Sequence, residues 1–241
     1  AKERLAMRSL SGNKNPDGPA DPIIVHPDVR RMLLTMKAFS EGGRSMIYEC
    51  ALLQDKLTEA EQTGDAAKVK SIDDRMGFLT PILKGFLTEV GVESASLGVQ
   101  VYGGHGYIKS NKQEQNLRDV RIAPVWEGTT GIQALDLLAR KVMLQKLKPF
   151  HTHTSEVYSY CWSVITEGGG TNLRRHALTC LAKTVEWQLL TYRLALKATL
   201  GGDRDAIGVA SVPYLMYSGY VQMAFHWLQM EVAAERALLD L

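Results

Sequence analysis

The sequence predicts an all-α protein. Apolar residues recur three and four positions apart over long stretches, which is the spacing that places them on one face of a helix. No stretch alternates apolar and polar residues for more than a few positions, so no strand is predicted. Clusters rich in Gly, Pro, Asn and Asp separate the helical stretches, and such clusters typically interrupt helices.

The first long helix follows a predicted loop at residues 11–22, which is rich in Gly, Pro, Asn and Asp. Pro27 suits the first position of a helix, because its fixed φ fits and its missing N–H would have no partner there. We predict that this helix runs to about Glu61, before a turn at residues 63–65.

A second helical segment starts at about residue 65 and leads to Thr80 and Pro81. Threonine is favoured at an N-cap and proline at the position after it. We therefore predict that a new helix begins there, runs to Tyr102 and stops at Gly103-Gly104.

A short polar helix is predicted at residues 112–119, and Pro124 indicates an extended or irregular segment after it. Thr130 and Gln133 have the spacing of a capping box, so Thr130 is predicted to cap a helix that runs through Lys146.

Three more helical segments are predicted after Pro149. Glycine clusters at residues 168–170 and 201–203 separate them, and the last begins at about Asp205, with a kink possible at Pro213.

The predicted organisation is two domains. Residues 1–147 form a four-helix bundle that carries the motifs, and residues 148–241 form a second, plainer helical bundle. The first residues, AKERLAMRSL, lack an initial Met and resemble the last turns of a helix, so we expect a fragment of a larger chain.

Composition excludes several classes of function. The 28 basic and 26 acidic residues give a net charge of +2, with no basic stripe, so no nucleic-acid partner is expected. Three separated cysteines without a CxxC pair favour reduced thiols over disulfides or a metal site. No signal peptide or membrane-spanning segment is predicted, so a cytoplasmic location is expected.

The segment from Gln100 to Gln133 carries the residues suited to chemistry. Glu127 follows the bulky Trp126 and precedes a Gly-Thr-Thr turn; a carboxylate beside apolar bulk can act as a base near neutral pH. Glycine turns expose backbone N–H groups that suit a phosphate or an oxyanion. From the residues alone, a surface glutamate at the start of a helix is the favoured interpretation.

Three motifs in this segment resemble the C-terminal domain of the acyl-CoA dehydrogenases. They are QVYGGHGY at 100–107, RDVRI at 118–122 and WEGTTGIQ at 126–133. The resemblance is strong to about residue 147. Beyond it, the chain resembles the extra helical module of a longer bacterial branch, which includes enzymes similar to 3-methylmercaptopropionyl-CoA dehydrogenase.

The resemblance implies that Glu127 is the catalytic base, which removes the α-proton of an acyl-CoA while FAD accepts the β-hydride. Trp126 and Gly128 are implied to contact the substrate, with Trp126 lining the acyl pocket and excluding water from Glu127. Thr129 and Thr130 are implied to contact the adenosine diphosphate part of FAD, a role compatible with helix capping.

A second group of residues is implied to approach the FAD of a neighbouring subunit. Gln100, Gly103 and Gly104 would do so through their backbone. Arg4 would pair with the pyrophosphate, with Arg8 as the alternative, and His26 either lies near the cofactor or merely starts a helix. A shared site implies a homodimer or a tetramer.

The expected function is formation of an α,β-double bond in an acyl-CoA thioester, with an electron-transfer flavoprotein or similar acceptor. The domains that supply most flavin contacts in this family have no counterpart here, so the chain alone is expected to be inactive. Two alternatives remain open. One is a catalytically incomplete helical binding module, and the other is a flavin-dependent oxidase-like relative.

Overall fold

The computed structural model describes residues 1–167 and 170–239, and the prediction of an all-α protein is confirmed there. No strand occurs in this part of the chain, where a single isolated bridge joins Leu5 to Pro22. Its α-helices are α1 (Pro27–Thr63), α2 (Ala66–Tyr102), α3 (Gln113–Val120), α4 (Thr130–Leu135), α5 (Lys148–Glu167), α6 (Thr171–Thr199) and α7 (Asp205–Leu239). Short 3-10 turns occupy Ile23–Val25, Gly103–Tyr107 and Lys109–Asn111, and a π-helical segment, Asp136–Leu144, continues α4.

The predicted start of α1 is confirmed. Pro27 is its first residue, and Asp28 lies in its first turn, where a carboxylate interacts favourably with the helix dipole. The helix ends at Thr63, two residues beyond the predicted end. There Gly64 adopts φ +71 and its N–H donates to the carbonyl oxygen of Glu61.

The predicted helix start at Thr80 and Pro81 is wrong, because α2 runs without a break from Ala66 to Tyr102 and contains Pro81. The hydroxyl of Thr80 does not cap a helix. Instead it donates to the carbonyl oxygen of Met76, one turn earlier and 2.7 Å away. Burial overrides the local preference: Phe78, Leu79, Ile82 and Phe86 are almost completely buried on both sides of the proline.

The predicted cap of α4 is wrong by one residue. Thr129, not Thr130, is the N-cap, and its hydroxyl oxygen accepts from the N–H of Ile132 at 3.4 Å. The expected α-helix through Lys146 is also wrong, because α4 changes to π-helical geometry at Asp136. That geometry coincides with complete burial of Leu137, Leu138 and Val142, and the helix ends before Lys146, at φ +51.

The remaining helices agree with the sequence prediction. The short polar helix is α3, residues 121–129 are irregular, and α5, α6 and α7 follow in the predicted order. Two of the glycines predicted to separate α5 from α6, at positions 168 and 169, lie outside the described residues. Pro213 lies inside α7. In the described part of the chain, no helix is both long and apolar enough to cross a membrane.

The chain divides into two compact units. Unit 1 comprises Ala1–Glu41 and Thr88–Ala123, and unit 2 comprises Gly42–Leu87 and Pro124–Leu241. The helices α1 and α2 therefore contribute residues to both units. The predicted domain boundary near residue 148 stays a prediction, since residues on both sides of it belong to unit 2.

Unit 1 contains a loop organised around a buried carboxylate. Asp21 accepts from the N–H groups of Ser9, Lys14 and Asn15 at 2.7–2.9 Å. The hydrogen bond from Ser9 is the main reason why the pKa of Asp21 is lowered. Arg8 adds an ion pair at 3.4 Å. These bonds explain how a loop rich in Gly and Pro is ordered.

Unit 2 has an aromatic core made by α2, α5 and α6. The ring centroid of Phe150 lies 6.5 Å from that of Phe78 and 5.0 Å from that of Trp187. Beside this core, Arg75 of α2 forms ion pairs with Glu49 of α1 at 2.5 Å and with Glu156 of α5 at 2.7 Å. Apolar and charged contacts thus both join α2 to α5.

Candidate active site

The segment that leads into α4 holds Glu127 in an unusual backbone conformation. Glu127 has φ +52 and Gly128 has φ +98, so two successive residues lie in the left-handed region. For a residue with a Cβ this region is sparsely populated, and it costs of order 1–3 kcal/mol unless the surroundings impose it. Residues in such conformations concentrate at functional sites, so this backbone conformation makes Glu127 a candidate functional residue.

Contacts on both sides of Glu127 impose this conformation. The ammonium group of Lys84 on α2 donates to the carbonyl oxygen of Gly128. The N–H of Thr130 donates to the carbonyl oxygen of Pro124 at 3.2 Å, closing the loop. The side-chain amide of Gln133 lies 3.5 Å from the carbonyl oxygen of Glu127. Helix α2 and the first turn of α4 together position the base candidate.

The same geometry leaves a row of hydrogen-bond donors available. In the described part of the chain, the backbone N–H groups of Glu127, Gly128 and Thr129 donate to no protein acceptor. The carboxylate of Glu127 is exposed and has no ion-pair partner among the described residues. An unpaired carboxylate beside three free amides can accept a proton while the amides stabilise a developing oxyanion.

Trp126 is 58% exposed in this chain. The described residues therefore do not pack it as a shield over Glu127, and the predicted exclusion of water stays a prediction. Gly128 is half-buried, and a Cβ at its position would come 2.7 Å from the side-chain amide nitrogen of Gln133. Glycine is thus favoured here by its positive φ, and any larger residue would also have to displace the end of the Gln133 side chain.

In unit 1, Arg4 lies against the glycine turn that ends α2. Its guanidinium donates to the carbonyl oxygen of Tyr102 and is 3.5 Å from Nδ1 of His105. Gly103 has φ +60, and a Cβ there would lie 3.3 Å from the guanidinium nitrogens. Because Arg4 is exposed and keeps other N–H groups free to donate, it can contact an anion beside this turn.

The other residues predicted to approach the cofactor differ in whether they are exposed and free to contact a ligand. Gln100 and Gly104 are exposed, and a Cβ on Gly104 would meet no atom within 4 Å. The Nε2 atom of His26 lies 2.8 Å from the carbonyl oxygen of Ala6, a contact that supports its structural interpretation.

Arg8, the alternative to Arg4, forms hydrogen bonds within the loop that contains it. It donates to Asn13 and to the carbonyl oxygen of Asn15, both at 2.7 Å. Arg4 is therefore the better candidate for contact with a ligand.

The predicted site residues fall into two groups. The structure brings Arg4, Gln100, Gly103 and Gly104 together around the end of α2 within unit 1, with His26 apart at the start of α1. It brings Trp126, Glu127, Gly128, Thr129 and Thr130 together within unit 2. No group of three His, Cys, Asp or Glu side chains suited to a metal ion occurs among the described residues.

Lys84 is a residue of the site that the sequence prediction missed. A signal for it exists, because Lys84 interrupts the apolar run PILKGFL, most of which is buried. A charged side chain in such a run needs a polar partner. The sequence does not reveal that this partner is the carbonyl group beside Glu127.

Two family models match the chain. The model described as acyl-CoA dehydrogenase, C-terminal domain, matches residues 9–143, which include the site residues except Arg4. A second model, described as acetyl-CoA dehydrogenase C-terminal like, matches residues 163–240.

Two curated proteins are similar over almost the whole chain. The 3-methylmercaptopropionyl-CoA dehydrogenase of Ruegeria pomeroyi is 37% identical, over 99% of this chain and 39% of its own length. The broad-specificity linear acyl-CoA dehydrogenase of Mycobacterium tuberculosis is 30% identical, over 100% of this chain and 39% of its own length. The chain thus spans about two fifths of the length of these relatives.

A solved structure has the same fold. The crystal structure of Caenorhabditis elegans ACDH-11 in complex with C11-CoA superposes with a TM-score of 0.65 at 21% sequence identity. The match covers 89% of this chain and 35% of that one. The helical arrangement is therefore one already seen in a larger protein.

Proposed function

Because this chain belongs to the acyl-CoA dehydrogenase family, we propose that it is the C-terminal helical part of a FAD-dependent acyl-CoA dehydrogenase. The proposed reaction is formation of an α,β-double bond in an acyl-CoA thioester. The two relatives described above, which match nearly the whole chain, carry the name of an acyl-CoA dehydrogenase, and this supports the proposed class of substrate. The chain by itself is proposed to be inactive, since it spans only 39% of their length.

One observation carries the proposal, namely the exposed carboxylate of Glu127 on a left-handed residue beside free backbone amides. The α-proton of a thioester is weakly acidic, so its removal requires both a base and stabilisation of the charge that develops on the thioester oxygen. Glu127 supplies the base, and its own N–H supplies a donor for that oxygen. Trp126 lines the acyl side of the same turn.

The residues present fit FAD. The exposed guanidinium of Arg4 and the bare backbone of Gly103 and Gly104 suit a pyrophosphate, and Gln100 lies on the same surface. In unit 2, Thr129 and Thr130 are the residues proposed to contact the adenosine diphosphate part of FAD. When bound, FAD supplies the acceptor for the β-hydride. A homodimer or tetramer, in which the unit 1 residues serve a neighbouring subunit, and an electron-transfer flavoprotein as acceptor complete the proposal.

The test is Glu127→Gln in the protein at its native length. The amide keeps the size of the carboxylate but cannot take the α-proton, so kcat for acyl-CoA oxidation should fall by at least about a thousandfold. The flavin absorbance of the purified variant should equal that of the wild type. Glu61→Gln, an exposed change on α1, is the matched control and should leave kcat unchanged.

The outcomes separate the alternatives. Retained turnover in Glu127→Gln would sink the assignment of the base. A wild-type protein that binds no FAD and oxidises no acyl-CoA would favour a helical binding module. Rapid reoxidation of the substrate-reduced flavin by oxygen would indicate an oxidase-like relative.

A further inference from the structure

Two of the three cysteines lie together in the core of the C-terminal helices. Cys161 is on α5 and Cys180 is on α6, and both belong to a cluster of buried residues that includes Phe225 and Leu228 of α7. Cys161 is 0% exposed and Cys180 is 3% exposed. Cys50 is on α1, outside this cluster. Neither of the two clustered cysteines is in a disulfide in this structure.

The two thiols interact directly across the interface between α5 and α6. Hydrogen bonding with Cys161 lowers the pKa of the Cys180 thiol, and the same contact raises the pKa of the Cys161 thiol, as does its burial. Of the two thiols, Cys180 is therefore the more acidic. Thiolates, not thiols, are the nucleophiles of cysteine chemistry.

Of the two cysteines, Cys180 lines a groove at the surface and Cys161 does not. Cys180 also lines an open groove of about 630 Å³ between α6 and α7, whose apolar walls include Ala224 and Leu228. His176 and Glu231, which are 2.7 Å apart, lie at the same groove. A small reagent can reach Cys180 from this groove, whereas Cys161 is fully buried and does not line it.

We propose that Cys161 and Cys180 form a redox-sensitive dithiol that closes into a disulfide between α5 and α6. The oxidant is a small hydroperoxide such as hydrogen peroxide. The Cys180 thiolate attacks one peroxide oxygen and the O–O bond breaks, giving a sulfenic acid and hydroxide, which takes up a proton to become water. The Cys161 sulfur then attacks the sulfenic sulfur while its proton passes to the departing hydroxyl oxygen, so the S–S bond forms and a second water leaves. Two thiols and one peroxide thus give one disulfide and two waters.

The disulfide would change the stability of the C-terminal helices. It closes a loop of roughly twenty residues, and a cross-link of this size removes conformational entropy from the unfolded chain. The melting temperature of the oxidised protein should therefore rise by roughly 5 °C or more over that of the reduced protein. Thiols that serve only as core packing would give no such rise.

The experiment uses the protein at its native length, fully reduced, freed of reductant and exposed to hydrogen peroxide under native conditions. Remaining thiols are then alkylated and the protein is digested for mass spectrometry. The expected result is a cross-linked peptide pair that contains Cys161 and Cys180 and has lost two hydrogens, with Cys50 still alkylated. Recovery of both residues as alkylated thiols, or a cross-link from either to Cys50, would overturn the proposal.

Single variants test the order of the steps. In Cys161→Ala, Cys180 should accumulate as a sulfenic acid that dimedone traps, because no second thiol can resolve it. In Cys180→Ala, Cys161 should stay unmodified. Cys50→Ala is the matched control and should form the disulfide as the wild type does. Dimedone adducts on Cys161 in Cys180→Ala would contradict the proposed route through the groove.

Discussion

The ammonium group of Lys84 on α2 donates a hydrogen bond to the carbonyl oxygen of Gly128, 44 positions later in the chain. Gly128 directly follows Glu127, whose φ is +52. The bond therefore connects a central residue of a long helix to the turn that presents the proposed base. Lys84 touches no reacting atom in the proposed chemistry and acts as a positioning residue.

Replacing Lys84 with Met should lower kcat by about tenfold to a hundredfold with little change in KM, because a misplaced base impairs proton transfer more than binding. Steady-state kinetics of the protein at its native length would measure both. Lys70→Met, an exposed change on the same helix, is the control. An unchanged kcat in Lys84→Met would show that the turn is positioned without this bond.

Replacing Gly128 with Ala should destabilise the protein by about 1–2 kcal/mol, because alanine is strained at φ +98 and its Cβ would lie 2.7 Å from the amide nitrogen of Gln133. Gly131→Ala, three residues later, should be neutral or stabilising by up to about 1 kcal/mol, since its Cβ meets no atom within 4 Å. Urea unfolding compares the two. Equal stabilities would contradict the strain that we infer at Gly128.

Glu49 should make stability depend on pH. Burial is the largest influence and raises its pKa, but hydrogen bonds and attraction from His226 and Arg75 outweigh it and bring the pKa to about 2, from 4.5. A lowered pKa stabilises the folded state above pH 4.5, and this contribution is lost as the pH falls from 4.5 towards 2. Between pH 7 and pH 3 the loss from this group is about 2 kcal/mol.

The measurement is urea unfolding of Glu49→Gln and wild type at both pH values. The variant should be less stable at pH 7 and should lose less stability on acidification. Glu61→Gln, an exposed change on the same helix, should follow the wild type. A variant with the pH dependence of the wild type would show that other carboxylates dominate the acid response.

Gly219 on α7 allows close packing against α2. A Cβ at Gly219 would lie 2.1 Å from Cγ of Phe86, which is completely buried. Gly219→Ala should therefore destabilise the protein by about 2–3 kcal/mol through overpacking. Gly208→Ala, on the same helix with no atom within 4 Å of its Cβ, should instead stabilise it slightly. Thermal unfolding of the two variants tests this contrast.

Local sequence signals predicted most of the fold. Pro27 starts α1 and Gly64 follows its end, because proline and glycine act on the backbone next to them. The prediction failed at Thr80 and Pro81, where the same signals suggested a new helix. Burial of Phe78 and Ile82 outweighs the missing hydrogen bond of the proline, and burial is not a local property of the sequence.

The sequence indicated which residues make up the candidate site, but it did not predict their backbone conformation or hydrogen bonds. The motif around Glu127 indicated the candidate residues, but not the left-handed backbone conformation of Glu127 and Gly128. The capping residue was misplaced by one position, because Thr129 and Thr130 are the same residue type and either suits an N-cap. Only the hydroxyl contact with Ile132 distinguishes them.

By itself the sequence determined the helical composition of the chain, since helical periodicity and turn preferences are encoded over a few neighbouring positions, and it indicated the residues of the proposed active site. Only the tertiary structure decided the left-handed conformation of Glu127 and the free amides beside it. That conformation is unfavourable in isolation, and it persists because Lys84, from a helix distant in sequence, and Gln133 hold the turn on both sides.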